Sequence, residues 1–217
     1  MVKDYDKKAT KELCQLAWKK TFIFGLEKND DKQTPTSKCI QALINKGANV
    51  NAKPFGDDFD TVLGLAVIHG KRQDSKLRSE IVSTLLENGA DPNILGYDNK
   101  TPLMWACYTT CDVDVIKALL DHKANVNAKD PDGLTPLMCA VLCNTTEKKK
   151  IQVVNMLLEK GASVFSKDND GNTAIHYADS LPVLKILLQA EMKQDKTKRV
   201  RKNFAAQRKI HNIKKER

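Results

Sequence analysis

Short apolar segments recur along the chain, and two different forms alternate. The first form places Thr and Ala five positions apart with mostly apolar residues between them: TVLGLA (61–66), TPLMWA (101–106), TPLMCA (135–140) and TAIHYA (173–178). A threonine hydroxyl can cap a helix, and Pro102 and Pro136 fall at the first helical position, where no backbone N–H is required. Each copy therefore predicts the start of a helix that buries one face.

The second form begins with a pair of large apolar residues and ends a few residues later near an Ala: LINKGANVN (43–51), LLENGADPN (85–93), LLDHKANVN (119–127) and LLEKGASVF (157–165). Three copies carry a Gly before the Ala, which indicates a helix end, because glycine readily adopts the left-handed conformation that closes a helix. Lys123 stands at that position in the remaining copy, where a left-handed lysine costs about 1 kcal/mol. Extended segments and Asp/Gly turns such as KDPDG (129–133) follow.

The two forms together make one repeating unit, whose first halves are 40, 34 and 38 residues apart. TPLxxA followed by LLxxGAxxN at roughly 33-residue spacing resembles the ankyrin repeat, over roughly residues 37–190 with a weaker first copy from about 10. The resemblance implies an all-α ankyrin-repeat solenoid of about five helix–turn–helix repeats joined by β-hairpin-like loops. We assign residues 1–192 to this domain, with repeats at about 10–53, 54–96, 97–129, 130–167 and 168–192.

The sequence departs from the family pattern at several points. Of the histidines that follow TPL in the family, only His176 is present, and we expect it to bond near the start of its helix. Extra residues at 71–79 and 144–150 are expected to enlarge the loops between the two helices of their repeats. The last repeat is short, as expected for a C-terminal cap.

Ankyrin repeats bind partners on a concave surface made by the loop tips and the first helices. The resemblance implies that this surface includes Asp57, Asp58, Phe59, Asp60, Ile68, His69, Tyr97, Asp98, Lys100, Tyr108, Thr109, His122, Asp132, Leu134 and Leu142. Because the set is acidic at the loop tips and apolar or aromatic on the helices, a protein partner with basic residues around an apolar anchor would fit. The alternative is that the aspartates only favour the turn conformation and solubility.

The positive charge of the chain is concentrated at its C-terminal end. Residues 193–217 hold 11 Lys or Arg and two acids, so this basic tail carries the whole net charge of +9. It resembles a nuclear localisation signal that an import receptor would bind, or an arm that binds nucleic acid or an anionic membrane. The residues that carry this resemblance are Lys196, Lys198, Arg199, Arg201 and Lys202. A solvated extension without a binding role is the alternative.

Four cysteines form two pairs with a spacing of four residues, Cys107 with Cys111 and Cys139 with Cys143. Such pairs suggest a metal or redox site, but their register within the repeat differs by two positions, so they are not expected to superpose. We interpret Cys107 and Cys139 as small residues packed between helices and expect Cys143 to be exposed. We predict no metal and no cofactor.

The chain contains no glycine-rich phosphate loop, nucleophile elbow or HExxH motif, so we do not expect an enzyme. The N-terminal sequence MVKDYDKK has no apolar stretch of a secretion signal, and the longest apolar run, 62–68, is too short to cross a bilayer. We expect a monomeric cytoplasmic protein, with nuclear entry through the tail as an alternative. A chain from an intracellular bacterium or a virus would instead occupy the host cytoplasm or nucleus.

Overall fold

The computed structural model describes residues 5–23, 37–53, 60–68 and 75–195. The helices in this part of the chain are α1 (Lys7–Ile23), α2 (Ser37–Asn45), α3 (Val62–Ile68), α4 (Ser75–Glu87), α5 (Pro102–Thr109), α6 (Val113–Asp121), α7 (Pro136–Leu142), α8 (Glu147–Glu159) and α9 (residues 181–195). No β-strand occurs in the described ranges. None of the helices described is both long and apolar enough to cross a membrane.

The helices are arranged in two layers of a helical-repeat stack. The first helices α1, α3, α5 and α7 pack side by side in chain order, and the second helices α2, α4, α6 and α8 do the same. Each first helix also packs against the second helix that follows it. The predicted helical-repeat architecture is therefore confirmed, while the count of five repeats stays a prediction.

The core lies between these layers and is built from equivalent positions of successive repeats. The first of the paired leucines in the second form is fully buried in α4, α6 and α8, at Leu85, Leu119 and Leu157. Each such side chain contributes about 1.5–3 kcal/mol when it is removed from water. Because every copy buries the same positions, the apolar repeat pattern of the sequence becomes a continuous core.

The predicted helix starts form as the sequence indicates. Thr101 accepts a hydrogen bond from the Met104 N–H at 3.3 Å, and Thr135 accepts one from the Met138 N–H at 3.4 Å. A proline occupies the first turn of both helices. These caps satisfy backbone donors that the first turn of a helix leaves without partners.

The predicted helix ends are confirmed as well. Gly47, Gly89 and Gly161 have φ values of 90°, 87° and 91°, in the left-handed region. Lys123 adopts the same conformation with φ at 65°, although it has a Cβ. The position therefore requires a left-handed residue whatever its side chain.

The loops between repeats are tight turns. In three loops that the structure describes, a backbone N–H donates to the carbonyl oxygen four residues later, from Gly96 to Lys100 at 2.9 Å, from Asp130 to Leu134 at 3.1 Å and from Asp168 to Asn172 at 2.9 Å. These turns take the place of the predicted hairpin-like loops without forming a strand ladder in the described part of the chain.

Asparagine side chains join the end of one repeat to the next. The amide of Asn93 donates to the Lys123 carbonyl at 3.2 Å and accepts from the Asn125 N–H at 2.7 Å. Asn51 and Asn127 make the same pair of bonds one repeat earlier and later. Gln194 on α9 bonds to residues 162 and 164, so the last helix is attached to the stack in a related way.

The prediction that the extra residues enlarge the inter-helix loops is wrong for the part that the structure describes. Helices α4 and α8 each have 13 residues, whereas α6 has 9. Residues 75–79 and 147–150 form the added helical turns, since Lys, Glu and Arg favour helix. Residues 71–74 lie outside the described residues.

The predicted first helix of the last repeat is replaced by a turn at residues 174–177. The Thr173 N–H donates to Nδ1 of His176 at 3.1 Å, so His176 does bond near the start of this segment. Backbone bonds from His176 to Thr173 and from Ala178 to Ile175 span three residues, as in a 3-10 turn rather than an α-helix.

Candidate functional site

Three apolar residues occupy the same position near the ends of neighbouring first helices. Ile68, Tyr108 and Leu142 each lie seven residues after the capping threonine of their repeat. Tyr108 is 48% exposed and Leu142 is 40% exposed, while Ile68 is half-buried. Because α3, α5 and α7 pack side by side, with axes about 8–10 Å apart in such contacts, the three form a row. We call it the apolar row.

Two other predicted site residues, at the ends of α5 and α6, are held by local hydrogen bonds. The Thr109 hydroxyl donates to the Trp105 carbonyl at 2.7 Å, and Nδ1 of His122 lies 2.9 Å from the Ala118 carbonyl oxygen. Both side chains are half-buried. Their polar groups already bond to their own helices, so they offer a partner mainly their remaining exposed surface.

The loop tip before α5 presents an aromatic and an acidic side chain. Tyr97 is 53% exposed and Asp98 is also exposed. Asp98 and Asn99 have φ values of 56° and 51°, a left-handed conformation that Asn and Asp tolerate better than most residues. The Tyr97 N–H donates to the Asp60 carboxylate at 3.3 Å, which ties this tip to the preceding repeat.

The tip before α7 is built around a buried aspartate. Oδ1 of Asp130 accepts hydrogen bonds from the N–H groups of Asp132 at 3.1 Å and Leu134 at 2.8 Å. The Asp168 carboxylate makes the equivalent bonds in the next tip. These two buried aspartates hold the turns, whereas Asp132 is exposed and Leu134 half-buried. Asp130 and Asp168 are outside the predicted binding set, so the turn-forming alternative for that set stays a prediction.

Two residues expected on the surface point inward instead. The exposed fraction of Asp60 is 7%, because its carboxylate lies against Gly96, where an added Cβ would be 1.8 Å from Oδ1. Burial raises the pKa of Asp60 to about 6. Lys100 forms an ion pair at 3.0 Å with Asp130 and lies 5.9 Å from the centre of the Trp105 ring. Burial lowers the pKa of Lys100, but the hydrogen bond and charge of Asp130 outweigh it.

Nine of the predicted binding residues lie outside the described residues. Four lie in the sequence on either side of α3, and five lie in the basic tail. They are Asp57, Asp58, Phe59, His69, Lys196, Lys198, Arg199, Arg201 and Lys202.

The four cysteines of the two pairs lie near one another, although their registers within the repeat differ. Cys107, Cys111, Cys139 and Cys143 are all buried, so the prediction that Cys143 is exposed is wrong. The Cys111 thiol donates to the Cys107 carbonyl at 3.1 Å, and the neighbouring Cys143 thiol raises the pKa of Cys111. Cys111 has a φ of 46° just beyond α5, in the left-handed region.

The thiol cluster does not have the form of a metal centre. In the described ranges, no group of three or more His, Cys, Asp and Glu residues is arranged to hold a metal ion. Burial raises the pKa of Cys107 and raises that of Cys139 to about 12, so these thiols stay protonated. Protonated thiols are poor nucleophiles and poor metal ligands.

Two ion pairs between repeats, each with a buried cation, were not predicted from the sequence. Arg78 pairs with Asp112 at 3.0 Å, and Lys150 pairs with Asp179 at 2.9 Å. Asp112 is buried as well, whereas 66% of the Asp179 side chain is exposed. Arg78 and Lys150 each precede the paired leucines of their helix by seven residues, in the added turns of α4 and α8. This shared position could have revealed the ion pairs from the sequence, because a cation at the same position of two lengthened helices indicates a common role.

Comparison with known proteins agrees with the repeat pattern. A family described as Ankyrin repeats (3 copies) matches residues 75–168 and 129–200. A search of the curated proteins finds no match. Ankyrin repeats are protein–protein interaction modules, and proteins built from them are generally not enzymes. The two matched ranges together span residues 75–200, more than half of the 217 residues, and the chain therefore belongs to the ankyrin-repeat family.

Proposed function

We propose that this protein binds another protein on the face formed by the apolar row and the adjoining loop tips. The observation that carries the proposal is the exposure of large apolar side chains at equivalent positions, with Tyr108 and Leu142 in adjacent helices. Exposed aromatic residues on a rigid support are frequent anchors of protein interfaces.

The chemistry of the face favours a particular kind of partner. Tyr97 adds a second exposed aromatic ring, and Asp98 and Asp132 add exposed carboxylates at two successive loop tips. A partner with an apolar segment flanked by Lys or Arg would place its charges opposite these acids. Asp60 and Lys100 would support this face from below, because both are turned inward.

The test compares one partner with matched variants. The partner is isolated by crosslinking and mass spectrometry, and its dissociation constant is then measured by calorimetry. The double variant Tyr97→Ala/Tyr108→Ala is expected to weaken binding at least about tenfold, as truncation of interface anchors does. If this variant binds the partner unchanged, the proposed face is wrong.

Tyr5→Ala is the matched control. Tyr5 is 43% exposed, close to the 48% of Tyr108, but it precedes α1 and is not part of the apolar row. Its loss removes a similar exposed ring, so partner affinity should not change. Equal losses in both variants would indicate non-specific binding to exposed aromatic rings and would contradict the proposal.

The same proposal includes the number of repeats, the basic tail and the monomeric state. Five repeats in residues 1–192, a basic tail at 193–217 and a monomeric adaptor fit both the helix pairs described and the distribution of charge. The combined mass of adaptor and partner, measured by light scattering, tests the monomer.

A further inference from the structure

Helix α9, the last helix in the part of the chain that the structure describes, has an unusual distribution of apolar side chains. Val183 and Leu187 are fully buried and attach the helix to the core. Leu181, Leu188 and Met192 are nevertheless 71%, 42% and 64% exposed. Terminal repeats usually present a polar outer face to water. Capping of the repeat stack therefore does not explain why the outer face of α9 exposes apolar side chains.

The three exposed residues form one stripe. They are spaced by seven and four residues, so at about 100° per residue they lie within roughly 40° of one another. Val183 and Leu187 fall on the opposite side of the same helix. The stripe is about 16 Å long, at 1.5 Å rise per residue over 11 positions. We call Leu181, Leu188 and Met192 the α9 stripe.

The sequence that follows α9 is strongly basic. Residues 196–217 contain ten Lys or Arg and one acid, whereas residues 181–195 contain two Lys and two acids. An exposed apolar stripe and a dense positive charge are thus adjacent in the chain. We propose that α9 and the residues after it bind the surface of a membrane that contains anionic lipids.

The two features act together in such binding. An apolar face enters the boundary between headgroups and acyl chains, and basic residues are attracted to anionic headgroups. Each Lys or Arg held near such a surface strengthens binding by a factor of about five. Neither feature alone gives stable attachment in most peripheral proteins, because two signals are usually needed.

Other occupants explain the observations less well. A second copy docked through the same stripe would bring two segments of charge +9 together, and they would repel each other. Nucleic acid would be attracted by the positive charge, but it presents no aliphatic surface that would pack against the α9 stripe. Single-stranded nucleic acid also favours aromatic stacking, and Phe204 is the one aromatic residue in 196–217 other than His211.

The experiment measures binding of the full chain to vesicles by cosedimentation. Vesicles of phosphatidylcholine with phosphatidylserine should bind the protein, and pure phosphatidylcholine vesicles should bind it much less. Leu188→Gln/Met192→Gln leaves the charge unchanged and should weaken binding at least about tenfold. Deletion of residues 196–217 should remove binding to the anionic vesicles.

Leu95→Gln is the matched control, since Leu95 is 44% exposed and lies outside α9. It should bind anionic vesicles like the unchanged protein, and circular dichroism should show all variants folded. Absence of vesicle binding would overturn the proposal. Binding that is unchanged in Leu188→Gln/Met192→Gln would also overturn it, because the tail would then act as a general binder of polyanions, which a gel shift with duplex DNA would reveal. Neither result affects the protein-binding face, whose test uses different residues.

Discussion

The guanidinium Nη1 of Arg78 lies 3.0 Å from Oδ2 of Asp112, and less than a tenth of either side chain is exposed. The hydroxyl of Ser75 donates to the same carboxylate oxygen at 2.7 Å. The other oxygen, Oδ1, accepts from the N–H groups of Asp114 and Val115 and so caps α6. Asp112 therefore joins the start of α6 to the added turn of α4.

Arg78→Met should destabilise the protein by about 3–5 kcal/mol, because removal of one partner leaves a buried charge uncompensated. The free energy of unfolding from urea denaturation measures the effect. In the variant Arg78→Met/Asp112→Asn a neutral amide replaces the buried carboxylate. Part of the lost free energy of unfolding should therefore be recovered.

The matched control is the pair of Lys160 and Asp121, which also joins neighbouring repeats. Their atoms are 2.7 Å apart, but the two side chains are 45% and 47% exposed. Lys160→Met should cost less than about 1 kcal/mol, because solvent screens exposed pairs. A similar loss at both pairs would show that burial is not the cause of the Arg78 effect.

Asp60 should make the stability depend on pH in the direction opposite to a typical carboxylate. Burial raises its pKa from 3.8 to about 6, so the folded protein binds this proton more tightly than the unfolded chain. Its contribution is then greatest below pH 4 and is lost as the pH rises through 6. Asp60→Asn should be more stable than the unchanged protein by about 2 kcal/mol at pH 7.5, with the advantage disappearing near pH 4.

Thermal unfolding of both proteins between pH 4 and 8 tests this prediction. The asparagine can still accept the hydrogen bond from Tyr97, so the loop tip is preserved. A stability difference that stays constant over this range would show that Asp60 does not titrate as described.

Lys123→Gly should stabilise the protein by about 0.5–1 kcal/mol. The φ of 65° at position 123 strains a residue that has a Cβ, and glycine relieves that strain. The unfolded glycine variant has more backbone entropy, which offsets part of the gain. The reciprocal change, Gly89→Ala, should destabilise by a similar amount, because Gly89 has a φ of 87° and no atom within 4 Å of an added Cβ. Chemical denaturation measures both variants, and changes of equal sign would contradict the backbone explanation.

The cysteines should differ in their reactivity with a disulfide reagent such as DTNB. Cys39 is exposed and should react first, whereas Cys14 is half-buried and should react more slowly. The four buried thiols should react only after denaturant is added, because thiolates are the reactive form and burial disfavours them. Cys39→Ser should remove the fast phase alone. Rapid reaction of more than two thiols in the native protein would contradict the buried thiol cluster.

The boundaries of several helices were predictable because they depend on groups close together in the chain. Thr101 and Pro102 start α5 through a cap and a fixed φ, and Gly89 ends α4 through its left-handed conformation. The exposed position of Tyr108 on α5 was implied by the alignment with the ankyrin repeat. No contact with another repeat is needed for any of these predictions.

The inward orientation of Asp60 and Lys100 was not predictable in the same way. Asp60 is buried against Gly96 and Lys100 is paired with Asp130, and both partners lie in the next loop tip along the chain. Alignment with the ankyrin repeat assigns Asp60 and Lys100 to loop tips, but it does not tell how close neighbouring tips lie to each other. The candidate site was therefore predicted in outline, and the structure removed these two side chains from its exposed part.

The sequence by itself determined the repeat, its two-layer helical character and the concentration of charge at the C-terminal end, because period, caps and composition are local properties. Only the tertiary structure decided that Cys111 meets Cys143, that Arg78 meets Asp112 and that α9 exposes Leu181 and Met192. These relationships depend on how one repeat is placed against the next. That placement results from the packing of whole helices, which no single segment of the chain specifies.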